Sequence, residues 1–278
     1  MDFIRTFDPT DTTGLVHGID TSNPHVWYWF LGCPIVHIIV TVIFRALGWF
    51  PGKSRHGSAL SDVASFIMVA GACVLYLSCS GIYVWTGING NTVYADLDKD
   101  HMYGRSEWTE NHLVYPMLGY QIWNLLASLC MNEFRSVQMV VHHVLTGSLA
   151  YFGLYPYLQF ECLFFFGITE FTNIPLTFVD FFKQFKDYAK AYPGVYSTAR
   201  TIFGVSFIIL RLLIWPVFCY PFWKNSIILV LQNQVHNKFV ALYFLFANFL
   251  LTGLQFLWGK EIWKAIMGTK KDPKKKSA

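Results

Sequence analysis

The sequence predicts an all-α fold: a multi-pass membrane helical bundle of about seven transmembrane helices, N-terminus lumenal and C-terminus cytosolic. Three observations carry that expectation. Of 278 residues, 54% are hydrophobic and 18% aromatic, but only 14% are charged, against roughly 25% in soluble domains. The mean hydropathy is +0.38. Seven segments are long and apolar enough to supply the about 20 residues a crossing helix needs, and the cationic residues between them cluster on alternate connections.

The stretch 1–23 carries Asp2, Asp8, Asp11 and Asp20 against Arg5 alone. That charge is the wrong sign for a signal or transit peptide, so the first span, 25–44, is expected to be retained. The second span is 60–86, followed by an acidic loop over 87–111, "GINGNTVYADLDKDHMYGRSEWTEN". The third, fourth and fifth spans are 112–131, 137–155 and 161–182. The short "YPYLQF" between the last two predicts a helical hairpin with its helices side by side. The sixth and seventh are 201–222 and 239–259. Pro34, Pro116, Pro175 and Pro216 fall inside spans, where neighbouring groups satisfy the carbonyls they free. The chain divides into an N-terminal segment with the first span (1–56), a helical domain (57–268) and a basic tail (269–278).

Orientation follows from Lys and Arg. The connections 45–59, 132–136 and 183–200 and the tail from 260 hold fifteen; the opposite side holds five, and Arg211 lies within a span. The cationic side is expected to be cytosolic. Lys275 and Lys276 then stand fourth and third from a cytosolic carboxyl end, resembling the dilysine signal by which coatomer returns proteins to the endoplasmic reticulum. The six cysteines all sit in apolar segments without a CxxC pair, and so read as small hydrophobes.

Polar residues inside the spans mark the expected site. Glu170 and Arg211 each lie about ten residues into a span, which at about 1.5 Å per residue puts both near the midplane. A charge there costs roughly 2.5–3.5 kcal/mol on insertion scales. Either the two pair, or they line a polar cavity. Asn173 shares the face of Glu170. In "VVHHVLTGSL", His142 shares a face with Thr146, while His143 points about 100° away. One histidine is then able to face a cavity while the other contacts a neighbouring helix. Asn124, Asn248 and Gln255 extend the polar stripe. Adjacent histidines diverge too far to share a metal easily, and none is expected. Either imidazole has the chemistry of a general base.

These motifs together resemble the TLC-domain family, which includes ceramide synthases, translocating-chain-associated membrane proteins and the neuronal ceroid lipofuscinosis type 8 protein. The resemblance covers about 57–268 and rests on "LGYQIWNLL", "VVHHVLT", "ITEFTNIPLTFVDFF", "FIILRLLIWP" and "LTGLQFLWGKEIWKAI" in order. It implies a helical membrane fold of the endoplasmic reticulum, concerned with lipids, with a cavity among its helices. In ceramide synthases the His-His pair is followed at 27 and 28 residues by His-Asp, with a further Asp three on. Those positions here hold Thr169, Glu170 and Asn173. The intervening Asn and Arg of that motif are Tyr157 and Phe160, and Asn124 stands where many relatives carry Asp. Glu170, Thr172 and Pro175 are spaced as in the small TLC-domain proteins.

The leading expectation is a protein that binds or senses membrane lipids or acyl chains, or sets membrane lipid composition, with no cofactor and no nucleic-acid partner. The alternatives are an acyltransferase using His142 or His143 with acyl-CoA, and a cargo receptor cycling between endoplasmic reticulum and Golgi.

Overall fold

The computed structural model describes residues 19–87, 107–155, 157–235 and 237–268. Most of the acidic 87–111 loop and the Lys275-Lys276 pair therefore lie outside the described residues. Among those described, the architecture is helical: α1 (Pro24–Ala46), α2 (Leu60–Gly87), α3 (107–130), α4 (Val137–Gly153), α5 (163–184), the short α6 (Lys186–Ala191), α7 (Pro193–Leu231) and α8 (Lys238–Gly268). Helix starts carry their local signals. Asn23 accepts from the His25 amide with Pro24 in the first turn, and Ser136 accepts from the Met139 amide. Both satisfy amides that the first helical turn leaves without a partner.

Four helices, α1, α2, α7 and α8, are long and apolar enough to cross a membrane. The other three long helices are shorter or interrupted by π and 3-10 turns. The sixth apolar segment extends well beyond 201–222, because Pro193 starts the helix from its first turn. Its fixed φ suits that position. The third starts at Glu107, inside what the sequence reads as loop.

Six helices close into a ring in which α2 packs on α3, α3 on α4, α4 on α8, α8 on α7, α7 on α5, and α5 back on α2. α1 packs outside the ring on α2 and α3, and only 11% of its apolar window is buried. Its Tyr28, Ile38 and Val42 face outward, as lipid-facing side chains do. α2 and α5 cross in backbone contact, where a Cβ on Gly81 would lie 2.5 Å from the Gly167 Cα. Only two glycines permit that approach.

The ring corrects one expectation. α4 and α5 do not form a side-by-side hairpin: α4 packs chiefly on α3 and α8, α5 on α2 and α7, so the two stand across the ring from each other. Their connection must span one end of the bundle. It does so buried, with Leu158 and Gln159 out of solvent. The Gln159 side-chain amide donates to Glu110 at 2.6 Å and to the Gly153 carbonyl at 3.0 Å. This segment closes the bundle at that end.

Candidate functional site

Three internal prolines shape the site. A proline nitrogen lacks the proton that would bond the carbonyl four residues back. For Pro116, Pro175 and Pro216 those carbonyls belong to His112, Phe171 and Leu212. All three fall in the non-α turns: a π turn at Glu110–Val114, a 3-10 turn at Ile168–Thr172 and a π turn at Ile208–Ile214. The second holds Glu170 and the third holds Arg211. Such irregular turns free backbone groups and re-aim side chains.

The 3-10 turn at Ile168–Thr172 supplies partners for Arg211. Arg211 is buried, and its Nε donates to the Thr172 hydroxyl at 2.8 Å, its Nη2 to the Thr169 carbonyl at 2.9 Å. The same Nη2 lies 3.6 Å from Glu170 Oε1. The other Glu170 oxygen accepts from the Asn173 amide at 2.7 Å. The two charges are thus both paired and facing open space.

That space is a cavity of about 500 Å³ inside the ring. Each of the six ring helices contributes: Phe66, Tyr120, His142, Glu170, Arg211 and Trp258 among others. One end reaches the 131–136 connection and the last turn of α5, where Glu133, Arg135 and Lys183 form a charged mouth. At the other end His142, Glu170 and Arg211 also line a second space of about 50 Å³, which runs toward the buried 154–162 connection. These three side chains form a neck between two chambers.

The two histidines have different surroundings. His143 is buried, and its Nδ1 bonds the Gln121 side-chain oxygen on α3. His142 faces the neck, stands edge-on to Trp258 with centroids 5.4 Å apart, and its Nδ1 has no hydrogen-bond partner. Thr146, one turn along, lines the inner chamber with Asn248 and Gln255. Asn124 lines the outer cavity while bonding Tyr120 and Ser128 on its own helix, each at 3.0 Å. The expected residues His142, His143, Thr146, Glu170, Asn173, Arg211 and Asn124 therefore border one connected interior. Among the described residues no three His, Cys, Asp or Glu side chains gather as a metal set.

Sequence reasoning missed Glu161 and Gln121. Glu161 is buried in the inner chamber with neither carboxylate oxygen bonded. Its place at the edge of an apolar run suggests a solvated end; "FECLFFF", a charge flanked by aromatics, is the available signal. Gln121 stands in "LGYQIWNLL" one turn before Asn124 and carries His143.

At the mouth, the 47–59 loop is tied to α4's approach. The Ser54 and Ser58 hydroxyls both donate to Glu133, the latter at 2.6 Å. Partial burial works against ionisation of Glu133, but the two hydroxyls together with the Glu133 and Ser58 backbone amides outweigh it and hold the carboxyl below its ordinary value.

No curated protein and no solved structure matches the chain. A family model described as the TLC domain matches residues 60–264, well over half of the chain and all six helices of the ring, and the chain belongs to the TLC-domain family.

Proposed function

We propose that this TLC-domain protein binds a membrane lipid within its helical ring and acts through that binding on lipid composition or sensing. The observation that carries the reading is the interior of about 500 Å³, open at a charged mouth and narrowing to His142, Glu170 and Arg211. Ligand pockets typically span about 300–1,000 Å³, with a few placed polar groups in an apolar lining. Here the lining joins Phe66, Ile67, Val74 and Leu176 to a handful of polar side chains. The reading includes seven crossings, with the mouth and C-terminus cytosolic. Fifteen of the 21 Lys and Arg on the mouth side support that orientation. It also includes residence in the endoplasmic reticulum, supported by the Lys275-Lys276 position and its fit to coatomer recognition.

Lipid extracted from the purified protein and analysed by mass spectrometry tests the reading. One lipid class should be enriched over the detergent blank, and Ala70→Phe, which fills the outer cavity, should lower it. An extract matching the blank in composition and amount rejects lipid binding.

A second reading has an observation of its own. The His142 Nδ1 is unbonded and sits at the neck beside Glu170 and Arg211. It is placed to take a proton from an acceptor that attacks the thioester of acyl-CoA. Product formation from acyl-CoA and lysolipid or amine acceptors, lost in His142→Ala while the protein still folds, would separate this enzyme from a binder.

A further inference from the structure

We propose that the inner chamber binds the hydroxyl end of a neutral hydrocarbon ligand, such as a long-chain alcohol. This inference rests on the lipid-binding reading and assigns chemistry to the part of the interior beyond the neck.

The chamber is about 50 Å³, several times the roughly 10–15 Å³ that one water needs, so a terminal CH₂OH group fits. Phe165, Phe222 and Leu251 make much of its wall. Against that apolar wall, the Thr146 hydroxyl, both Glu161 carboxylate oxygens and the Gln255 side-chain oxygen are buried without hydrogen-bond partners. Native structures rarely leave buried polar atoms unbonded, and each exception calls for an occupant or a function. A methyl chain end would leave all of them dehydrated and unbonded. A pocket meant for the tip of an acyl tail would be lined differently.

The charges select among polar ends. Arg211 lines this chamber already opposed by Glu170, and an ammonium head accepts no hydrogen bond, so it cannot receive from the Thr146 hydroxyl. The Glu161 carboxyl disfavours a phosphate or carboxylate. A hydroxyl carries no charge, donates one hydrogen bond and accepts others. It satisfies an acceptor such as Gln255 Oε1 or Glu161 while receiving from the Thr146 hydroxyl. The hydrocarbon would trail through the neck at His142 into the outer cavity, since both spaces meet there.

The experiment uses the full-length protein in nanodiscs with four photoreactive C16 probes: the alcohol, the alkane, the amine and the fatty acid. The alcohol should label peptides spanning Leu158–Phe166 or Leu251–Gln255, with the other three labelling them about tenfold less. Glu161→Leu should weaken alcohol binding about tenfold, as expected for roughly one to two lost hydrogen bonds. Glu161→Gln keeps an acceptor and should stay within about threefold of the wild type. If Glu161→Leu does not fold, Gln255→Leu provides the same comparison. Equal labelling by alcohol and alkane, or unchanged alcohol affinity in the apolar variants, overturns the inference. So does a chamber filled by water alone that the alcohol does not displace. Co-purifying lipid in the outer cavity is measured in parallel. Its persistence without alcohol labelling defeats only this inference; alcohol labelling at Glu161 with no co-purifying lipid defeats only the broader reading.

Discussion

The Arg211 guanidinium lies 3.6 Å from the Glu170 carboxylate, in the interior of a ring of six helices, with both side chains almost fully buried. The pair joins α5 to α7 at their two irregular turns. Removing one partner leaves a buried charge uncompensated, at a cost of about 3–5 kcal/mol. Glu170→Gln and Arg211→Met should each lower the melting temperature sharply in detergent. The double variant should recover part of the loss. Additive losses in a double-mutant cycle would mean that the pair carries no coupling and that Thr169 and Thr172 alone hold the arginine.

His143 and His142 should separate into a structural and a ligand-facing role. His143 bonds Gln121 across α3 and α4. His143→Leu would strand the Gln121 carbonyl, costing about 1–3 kcal/mol, and Gln121→Leu should cost a similar amount. His142 has no partner at Nδ1 and borders the neck. His142→Phe should leave the thermal melt within about 1 kcal/mol while changing the amount or class of co-purifying lipid. The opposite pattern, with His142 controlling stability and His143 controlling lipid, would reverse the assignment.

Much of this is legible in the sequence because apolar length and helix signals are local. The segments 25–44, 60–86, 137–155 and 239–259 lie close to α1, α2, α4 and α8. The polar residues at Glu170, Asn173, Arg211 and His142 stand out because an apolar setting makes each of them costly. Arrangement is less visible. A six-residue connection between apolar segments suggests neighbours, yet "YPYLQF" crosses the closed end of the ring. That depends on buried bonds from Gln159 to Glu110 and Gly153, which no pattern along the chain encodes. The prolines read as kinks, but their alignment with the turns bearing Glu170 and Arg211 emerges only when turn types are known. Glu161 escapes a reading along the chain because a charge at a segment end looks solvated until the chain folds over it.

The Gly81–Gly167 contact between α2 and α5 should tolerate no added methyl. A Cβ on either glycine would meet backbone at 2.5–2.6 Å, and backbone cannot swing aside as a side chain does. Gly81→Ala and Gly167→Ala should each destabilise by about 1–3 kcal/mol through overpacking. Gly253, where an added methyl would have nothing within 4 Å, serves as the control. Gly253→Ala should be neutral or stabilising by up to about 1 kcal/mol, the propensity difference in a helix. Equal melting temperatures for all three alanine variants would show that α2 and α5 separate without cost.

The loop at the cavity mouth should loosen in acid. Ser54 and Ser58 donate to the Glu133 carboxylate and help hold its pKa below the ordinary 4.5. A depressed pKa means that the folded loop favours the ionised form, so the stabilisation is fully present above the ordinary value. It is lost as pH falls below 4.5 and through the depressed value, because protonation removes the charge the hydroxyls bond. The 52–59 amides should be strongly protected from hydrogen exchange at neutral pH, and that protection, taken relative to the intrinsic exchange rate at each pH, should fall below that point. Ser54→Ala/Ser58→Ala should show weak protection at every pH and return Glu133 toward its ordinary titration. Glu133 lines the outer cavity, so the same variant should exchange its co-purifying lipid faster at neutral pH. Fast loop exchange with unchanged lipid exchange would confine the Ser–Glu contact to the loop and remove it from control of the mouth.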